Sequence, residues 1–196
     1  MNGLHTETRF LHGGVLALST APAELDREAR FAAFAASHRE RALRLAWRLV
    51  GGDMAAAEDV TQDALVKAYR GLPQFRDEAA LSTWFYRILV RQAYSFLRWR
   101  RVRERFGGEV PENPPDPAPS PQSDPALRRR IADALATLPR TQRDAFLLVH
   151  LEGFTVNEAA EIMGRAPGTL KSNLHRARMA LRRRLEDVID SRGESR

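Results

Sequence analysis

Between positions 31 and 50 the apolar residues Phe31, Phe34, Ala35, Ala42, Leu45, Ala46 and Leu49 return every three or four places, which predicts an amphipathic helix. The run VGGD at 50–53 stops it. A second helix is expected from about Met54 to Tyr69, with Ala57, Val60, Ala64 and Ala68 inward, ending at the GLP of 71–73. A third begins near Ala80 and continues to Arg105, turning Leu81, Trp84, Phe85, Ile88, Gln92, Phe96 and Trp99 to one side. Further on, Leu127–Leu138, Pro139–His150, Thr155–Met163 and Gly168 to about Asp190 predict four more helices, separated at LEGFT and MGRAPG. No segment alternates long enough to be a strand, so the expected fold is all-α. Residues 1–30 show no sustained period and read as a flexible extension, and 191–196 as a tail.

Seven of the eleven prolines fall between Gly107 and Ala126. Proline lacks an amide donor and fixes its own torsion, so 107–126 reads as a linker between two small helical domains, 31–106 and 127–190. As polyproline the linker would reach about 60 Å, and as a coil roughly 25 Å. Two bundles tethered in this way are expected to land on separate parts of one partner.

The last pair of helices carries the first chemistry. Thr155 followed by Glu158 forms a capping box, Gly164 ends a short helix, and Gly168 with Thr169 opens the next. That spacing is a helix-turn-helix, whose second helix enters the major groove of DNA. On that helix Leu170, Ala177 and Leu181 make the core stripe. Ser172, His175, Arg176, Met179 and Arg183 lie opposite, with Lys171 and Arg182 at the flanks. No acid occurs between Glu161 and Glu186, and Lys, Arg and Ser suit phosphates and base edges. The plain alternative is a solvated basic face on a structural helix.

Two more faces stand out in the first domain. Arg87, Arg91, Tyr94, Arg98 and Arg101 recur along the third helix with no acid before Glu104, a pattern suited to tracking phosphates and stacking on exposed bases. Solvated arginines over a core are the bland counterpart, and Trp84 could be core alone. On the second helix Asp59, Gln62 and Asp63 project together. An acidic patch repels DNA, so it more plausibly meets a basic protein surface, although acids near a helix amino end also stabilise the helix.

Charge supports a polyanion partner: the net charge is +6 and the isoelectric point about 10.6. The absence of cysteine removes disulfides, thiolate metal sites and thiol nucleophiles, and suits a reducing cytoplasm. No apolar run is long enough to span a bilayer, and VLALSTAPA near the amino end is too short and lacks the basic lead-in of a secretory signal. No phosphate loop, metal-spaced cluster or nucleophile–base arrangement is visible, so neither an enzyme nor a bound metal or cofactor is expected.

The stretches GGDMAAAEDVTQDALVKAYRGLPQFRDEAALSTWFYRI and ALATLPRTQRDAFLLVHLEGFTVNEAAEIMGRAPGTLKSNLHRARMAL resemble regions two and four of bacterial RNA polymerase sigma factors, most closely the extracytoplasmic-function (ECF) class. The resemblance implies a promoter-specificity subunit without catalysis or small-molecule substrate, cytoplasmic and not inserted in a membrane. It implies that Asp59, Gln62 and Asp63 dock on the clamp coiled coil of the polymerase's largest subunit. Arg76, Asp77, Trp84, Arg87, Arg91, Tyr94 and Arg98, with the loop FRDEAA, would recognise and melt the downstream promoter element. Thr169, Lys171, Ser172, His175, Arg176 and Arg183 would read the upstream element as duplex. An anti-sigma protein is the further partner implied. The chain departs from the family's habit at Ala79, Ala80 and Leu81, where two serines and an aromatic are frequent, and at Arg91 and Ser95, where Asn and Asp are frequent. A stand-alone regulator using only the helix-turn-helix, or a sigma mimic that sequesters an anti-sigma protein, would be the competing readings.

Overall fold

The computed structural model describes residues 21–75, 80–106 and 125–186, and every regular element among them is helical. Three helices make the first bundle: α1 (Ala21–Val50), α2 (Met54–Gly71) and α3 (Leu81–Arg105). Between α1 and α2 the chain reverses through Gly51 and Gly52, at φ of 87° and 92°, a region that a side chain disfavours. Asp53 then caps α2, its carboxylate accepting from the Ala56 amide at 3.0 Å. Ala57, Val60, Ala64 and Ala68 face inward as expected, and their small size lets α2 lie close to α1 and α3.

Two expectations shift here. The extension drawn over 1–30 is too long, because α1 already begins at Ala21. Its early part is anchored through Phe31, which is buried beside Phe34 and Tyr69, and through Glu28, which accepts from the Tyr69 hydroxyl at 3.1 Å. The stripe of α3 is also rotated from its expected position. Phe85, Tyr86, Leu89, Val90 and Ala93 are its buried apolar residues, whereas Gln92 is only partly covered and Trp99 is 54% exposed. The second change has a tertiary cause: α3 is covered from two sides, so its apolar arc is wider than one face.

The second bundle holds α4 (Pro125–Ala136), α5 (Arg140–Phe146), α6 (Val156–Met163) and α7 (Pro167–Arg184), with a π-helical turn over Leu147–Leu151 after α5. The linker expected over 107–126 therefore ends before Pro125, which opens α4; proline is tolerated in a first helical turn because the amide it lacks would be unpaired there. The remainder of that linker, and 187–196, lie outside the described residues. Thr155 and Glu158 make the reciprocal capping box, with the Thr155 amide donating to Glu158 at 2.8 Å and the Glu158 amide donating to the Thr155 hydroxyl at 3.2 Å. Those bonds to Thr155 hold the Glu158 carboxyl below its ordinary range. Gly164 closes α6 in the left-handed region, at φ 62°.

Instead of standing apart, the bundles pack against each other. One apolar cluster runs from Phe31 in α1 through Phe85 and Tyr86 in α3 to Phe154, Ile162 and Leu174; Ala134, Leu138, Ala177 and Leu181 form a smaller one. The seam lies between α3 and α6. Tyr86 meets Phe154 edge to face at 5.1 Å, and the Arg41 guanidinium lies 4.9 Å from the Phe154 ring centre. Burial pushes the Tyr86 hydroxyl up to about 12. Beside this pair Glu152, whose side chain is only 5% exposed, is gripped by Arg41 at 3.0 Å and by Arg48 at 2.7 Å, and Arg41 also donates to its carbonyl oxygen. A carboxylate this buried is tolerable because two guanidiniums satisfy it. Among the described residues no helix is long and apolar enough to cross a membrane.

Candidate nucleic-acid and polymerase interfaces

The upstream-reading face expected on α7 is open. Leu170, Leu174, Ala177 and Leu181 are buried, with Asn173 joining them, and this turns Thr169, Lys171, Ser172, His175, Arg176 and Arg183 to solvent. Lys171 and His175 lie about one helical turn apart and Arg176 and Arg183 about two, so the charges run along the helix on the side away from α5 and α6. The Ser172 hydroxyl donates to the Gly168 carbonyl at 3.1 Å and keeps lone pairs for an outside donor. Met179, 43% exposed, belongs to the same face.

On α2, Asp59, Gln62 and Asp63 are all exposed, and neither carboxylate has an ion-pair partner among the described residues. Asp59 and Asp63 share a groove of about 250 Å³ with Phe96 and Trp99 of α3. The side chain expected in the core at position 99 is thus part of an accessible apolar wall beside the acids. Acid flanked by aromatic surface suits a basic protein partner, because charge steers the encounter and desolvated rings hold it.

The stripe on α3 is divided. Arg91 and Arg98 are exposed, and Arg98 lies 3.4 Å from the Ser95 hydroxyl. Arg87 is half-buried with Glu161 of α6 at 4.0 Å. Trp84 packs on Phe75 with ring centres 5.0 Å apart, and a side chain at Gly71 would meet its ring at 3.3 Å, so the glycine makes room for the indole. Arg76 and Asp77 lie outside the described residues.

Tyr94 differs most from its expected role. Its hydroxyl donates to Asp144 of α5 at 3.0 Å, and the Arg140 guanidinium sits 3.8 Å above its ring centre. Burial, reinforced by the Asp144 charge, drives the phenol pKa strongly upward. Asp144 is fully buried, and its carboxyl is raised by that burial against the opposing pull of Arg143, the Tyr94 hydroxyl and Arg140. In this packed arrangement the ring is half-buried between the bundles, with the Arg140 guanidinium over one of its faces. The sequence shows an aromatic among arginines and does not show the cover.

Residues unmarked at the sequence level therefore matter: Arg41, Arg48 and Glu152 in one cross-bundle contact, Arg140 and Asp144 in the other. Arg41 and Glu152 are 111 positions apart and Tyr94 and Asp144 are 50 apart, so no local pattern reveals these contacts.

Comparison with known proteins relates the two bundles to known family regions. Residues 34–103 match the model for sigma-70 region 2, and 128–181 match that for sigma-70 region 4. The ECF RNA polymerase sigma factor SigM of Mycobacterium tuberculosis is 35% identical over 148 residues, which are 76% of this chain and 73% of that protein. The chain belongs to the ECF family of RNA polymerase sigma factors. The RNA polymerase sigma-E factor of Streptomyces coelicolor is 32% identical to this sigma factor over 155 residues, covering 79% and 85% of the two chains. Among solved structures, the sigma factor RpoE of Bartonella quintana, determined in complex with the anti-sigma factor NepR, superimposes with a TM-score of 0.68 at 30% identity, over 80% of this chain and 97% of that one. The two matched regions coincide with the two bundles, so α2 and α3 belong to region 2 and the α6–α7 helix-turn-helix to region 4.

Proposed function

We propose that this sigma factor binds core RNA polymerase through Asp59, Gln62 and Asp63, reads duplex upstream promoter DNA with α7, and opens the downstream element with α3. The observation that carries the reading is the solvent-facing basic row on α7 beside an acid–aromatic groove on a different bundle, two surfaces of opposite sign aimed at different macromolecules. Lys171, Ser172, His175, Arg176 and Arg183 contact bases and phosphates, with Thr169 at the start of the helix. Arg76, Asp77, Trp84, Arg87, Arg91, Tyr94 and Arg98 serve the melted strand. The protein acts in the cytoplasm, beside polymerase and DNA, without catalysis of its own. An anti-sigma protein is a natural further partner, since the structurally similar RpoE was determined with one.

Run-off transcription with core polymerase on candidate promoter templates tests the whole reading. The chain is expected to direct initiation at a defined start, and failure on every template bound by the chain would refute it. D59K/D63K reverses exposed charges only, so the fold should persist while holoenzyme formation drops by roughly tenfold or more. Unchanged assembly in a pull-down would remove the docking role.

Tyr94 serves two arrangements: sandwiched under α5 when the bundles pack, and available to an unstacked base when they part. Y94A is therefore expected to impair open-complex formation by about tenfold, with closed-complex binding nearly unchanged, because base stacking is worth about 1–3 kcal/mol. Y94F keeps the ring and loses only the bond to Asp144, so it should retain opening. Equal losses in both complexes for Y94A, read by permanganate reactivity and gel shift, would make the tyrosine a structural residue only.

A further inference from the structure

Closure of the two bundles creates a cleft that neither possesses alone. Arg98, Arg101 and Arg105 of α3 form one wall, while Arg140 and Thr141 of α5 and Arg165 of the α6–α7 turn form the other, enclosing about 470 Å³ above the Tyr94 ring. The three α3 arginines stand at steps of three and four on one helical face, spread over about 10 Å of axis. Arg140 is compensated by Asp144 at 3.5 Å. Arg98, Arg101, Arg105 and Arg165 have no ion-pair partner among the described residues. Among the described residues no carboxylate lines the cleft.

Like charges brought together across a gap oppose the closure that assembles them. The apolar seam and the Glu152 contact hold the bundles together against that repulsion, and an anion seated between the walls would reverse its sign. The anion has to carry several charges to match four uncompensated guanidiniums. The planar forks of arginine only donate, and the Thr141 hydroxyl can donate beside them, which suits phosphate oxygens. The volume is that of a small-ligand site, too little for a folded partner.

We propose that this cleft is a binding site for an oligophosphate anion, and that its occupancy favours the closed arrangement in which Tyr94 is covered. A ligand that touches both walls binds only the closed form, so by linkage it shifts the population toward closure. Such a ligand would withdraw the downstream-melting surface, whereas promoter DNA would favour the open form. The shared chemistry is a run of phosphates, available from a free oligophosphate or from the backbone of a single strand.

The test uses the full chain, with inorganic tripolyphosphate and a short single-stranded oligonucleotide of arbitrary sequence as probes. Binding is followed by calorimetry and overall size by small-angle scattering. At least one probe is expected to bind one-to-one and to reduce the radius of gyration. R101A/R165A should weaken that binding by roughly a hundredfold, because one charge-assisted contact is lost from each wall. R70A/R178A removes the same net charge at exposed positions outside the cleft and should leave it unchanged. Response to tripolyphosphate identifies the free anion as the source, and response to the oligonucleotide alone identifies a nucleic-acid backbone. Equal losses in the two double variants, binding without compaction, absence of one-to-one binding by either probe, or equally tight binding of a hexaglutamate peptide would each overturn the proposal. None of these readouts involves a promoter or polymerase, so the site stands or falls separately from promoter recognition.

Discussion

Replacing Glu152 with alanine is expected to part the two bundles while leaving each folded. The carboxylate is held by Arg41 at 3.0 Å and Arg48 at 2.7 Å and is nearly excluded from water. Without it, two guanidiniums face an apolar seam with only the backbone carbonyl at 152 to receive Arg41. Removing one partner of a fully buried ion pair costs about 3–5 kcal/mol, and less is expected here because the Arg41 and Arg48 side chains are 32% and 30% exposed. Here part of that cost is relieved by separation: opening returns both arginines to solvent, so the variant loses the packed arrangement before it loses either fold. Small-angle scattering should show a larger particle and limited proteolysis a newly accessible α3–α6 seam, with helix content unchanged. E152Q, which retains hydrogen-bond acceptance without charge, is expected to fall between. An E152A protein as compact as the parent would mean that the apolar seam alone holds the bundles.

K171A/R176A is expected to reduce promoter affinity by roughly a hundredfold or more, at about 1–3 kcal/mol for each base-edge contact. Both side chains are exposed on the face opposite Leu170, Leu174, Ala177 and Leu181, so truncation leaves the core of the second bundle intact. Two effects should separate on a salt titration. Lost phosphate contacts lower the slope of log affinity against log salt, and lost base contacts lower discrimination against mismatched upstream elements at every salt. A footprint over the upstream element with parental protection and parental sequence preference would remove α7 from recognition. A change in slope alone, with discrimination intact, would reduce both residues to backbone contacts.

The two surfaces compared by these experiments differ in how readily the primary structure reveals them. The α7 face is local: side chains three and four apart share a side, a basic run without acids stands out, and a capping box and a left-handed glycine mark the turn before it. The polar patch of α2 is equally local, and Asp59, Gln62 and Asp63 all project as expected. On α3 that logic weakens. Periodicity identifies one apolar arc, but a helix packed on both sides buries more than one arc, so Tyr86 and Leu89 are fully buried while Trp99 is exposed. The start of α1 carries no such signal, because Ala, Glu and Arg give a short segment little hydrophobic period, although they favour helix.

Family, helix order and the outward chemistry of α2 and α7 are inherent in short-range pattern and motif, because each depends on residues within a few turns of one another. How the bundles meet is not. Glu152 and Asp144 look like ordinary surface acids in the chain, and Tyr94 like an available aromatic; only the approach of α5 and α6 to α3 makes the first two buried anchors and covers the third. The same approach gathers Arg98, Arg101, Arg105 and Arg165 around one cleft. Such contacts join positions fifty to more than a hundred residues apart, and their energy comes from excluding water between surfaces, which no run of neighbouring residues encodes.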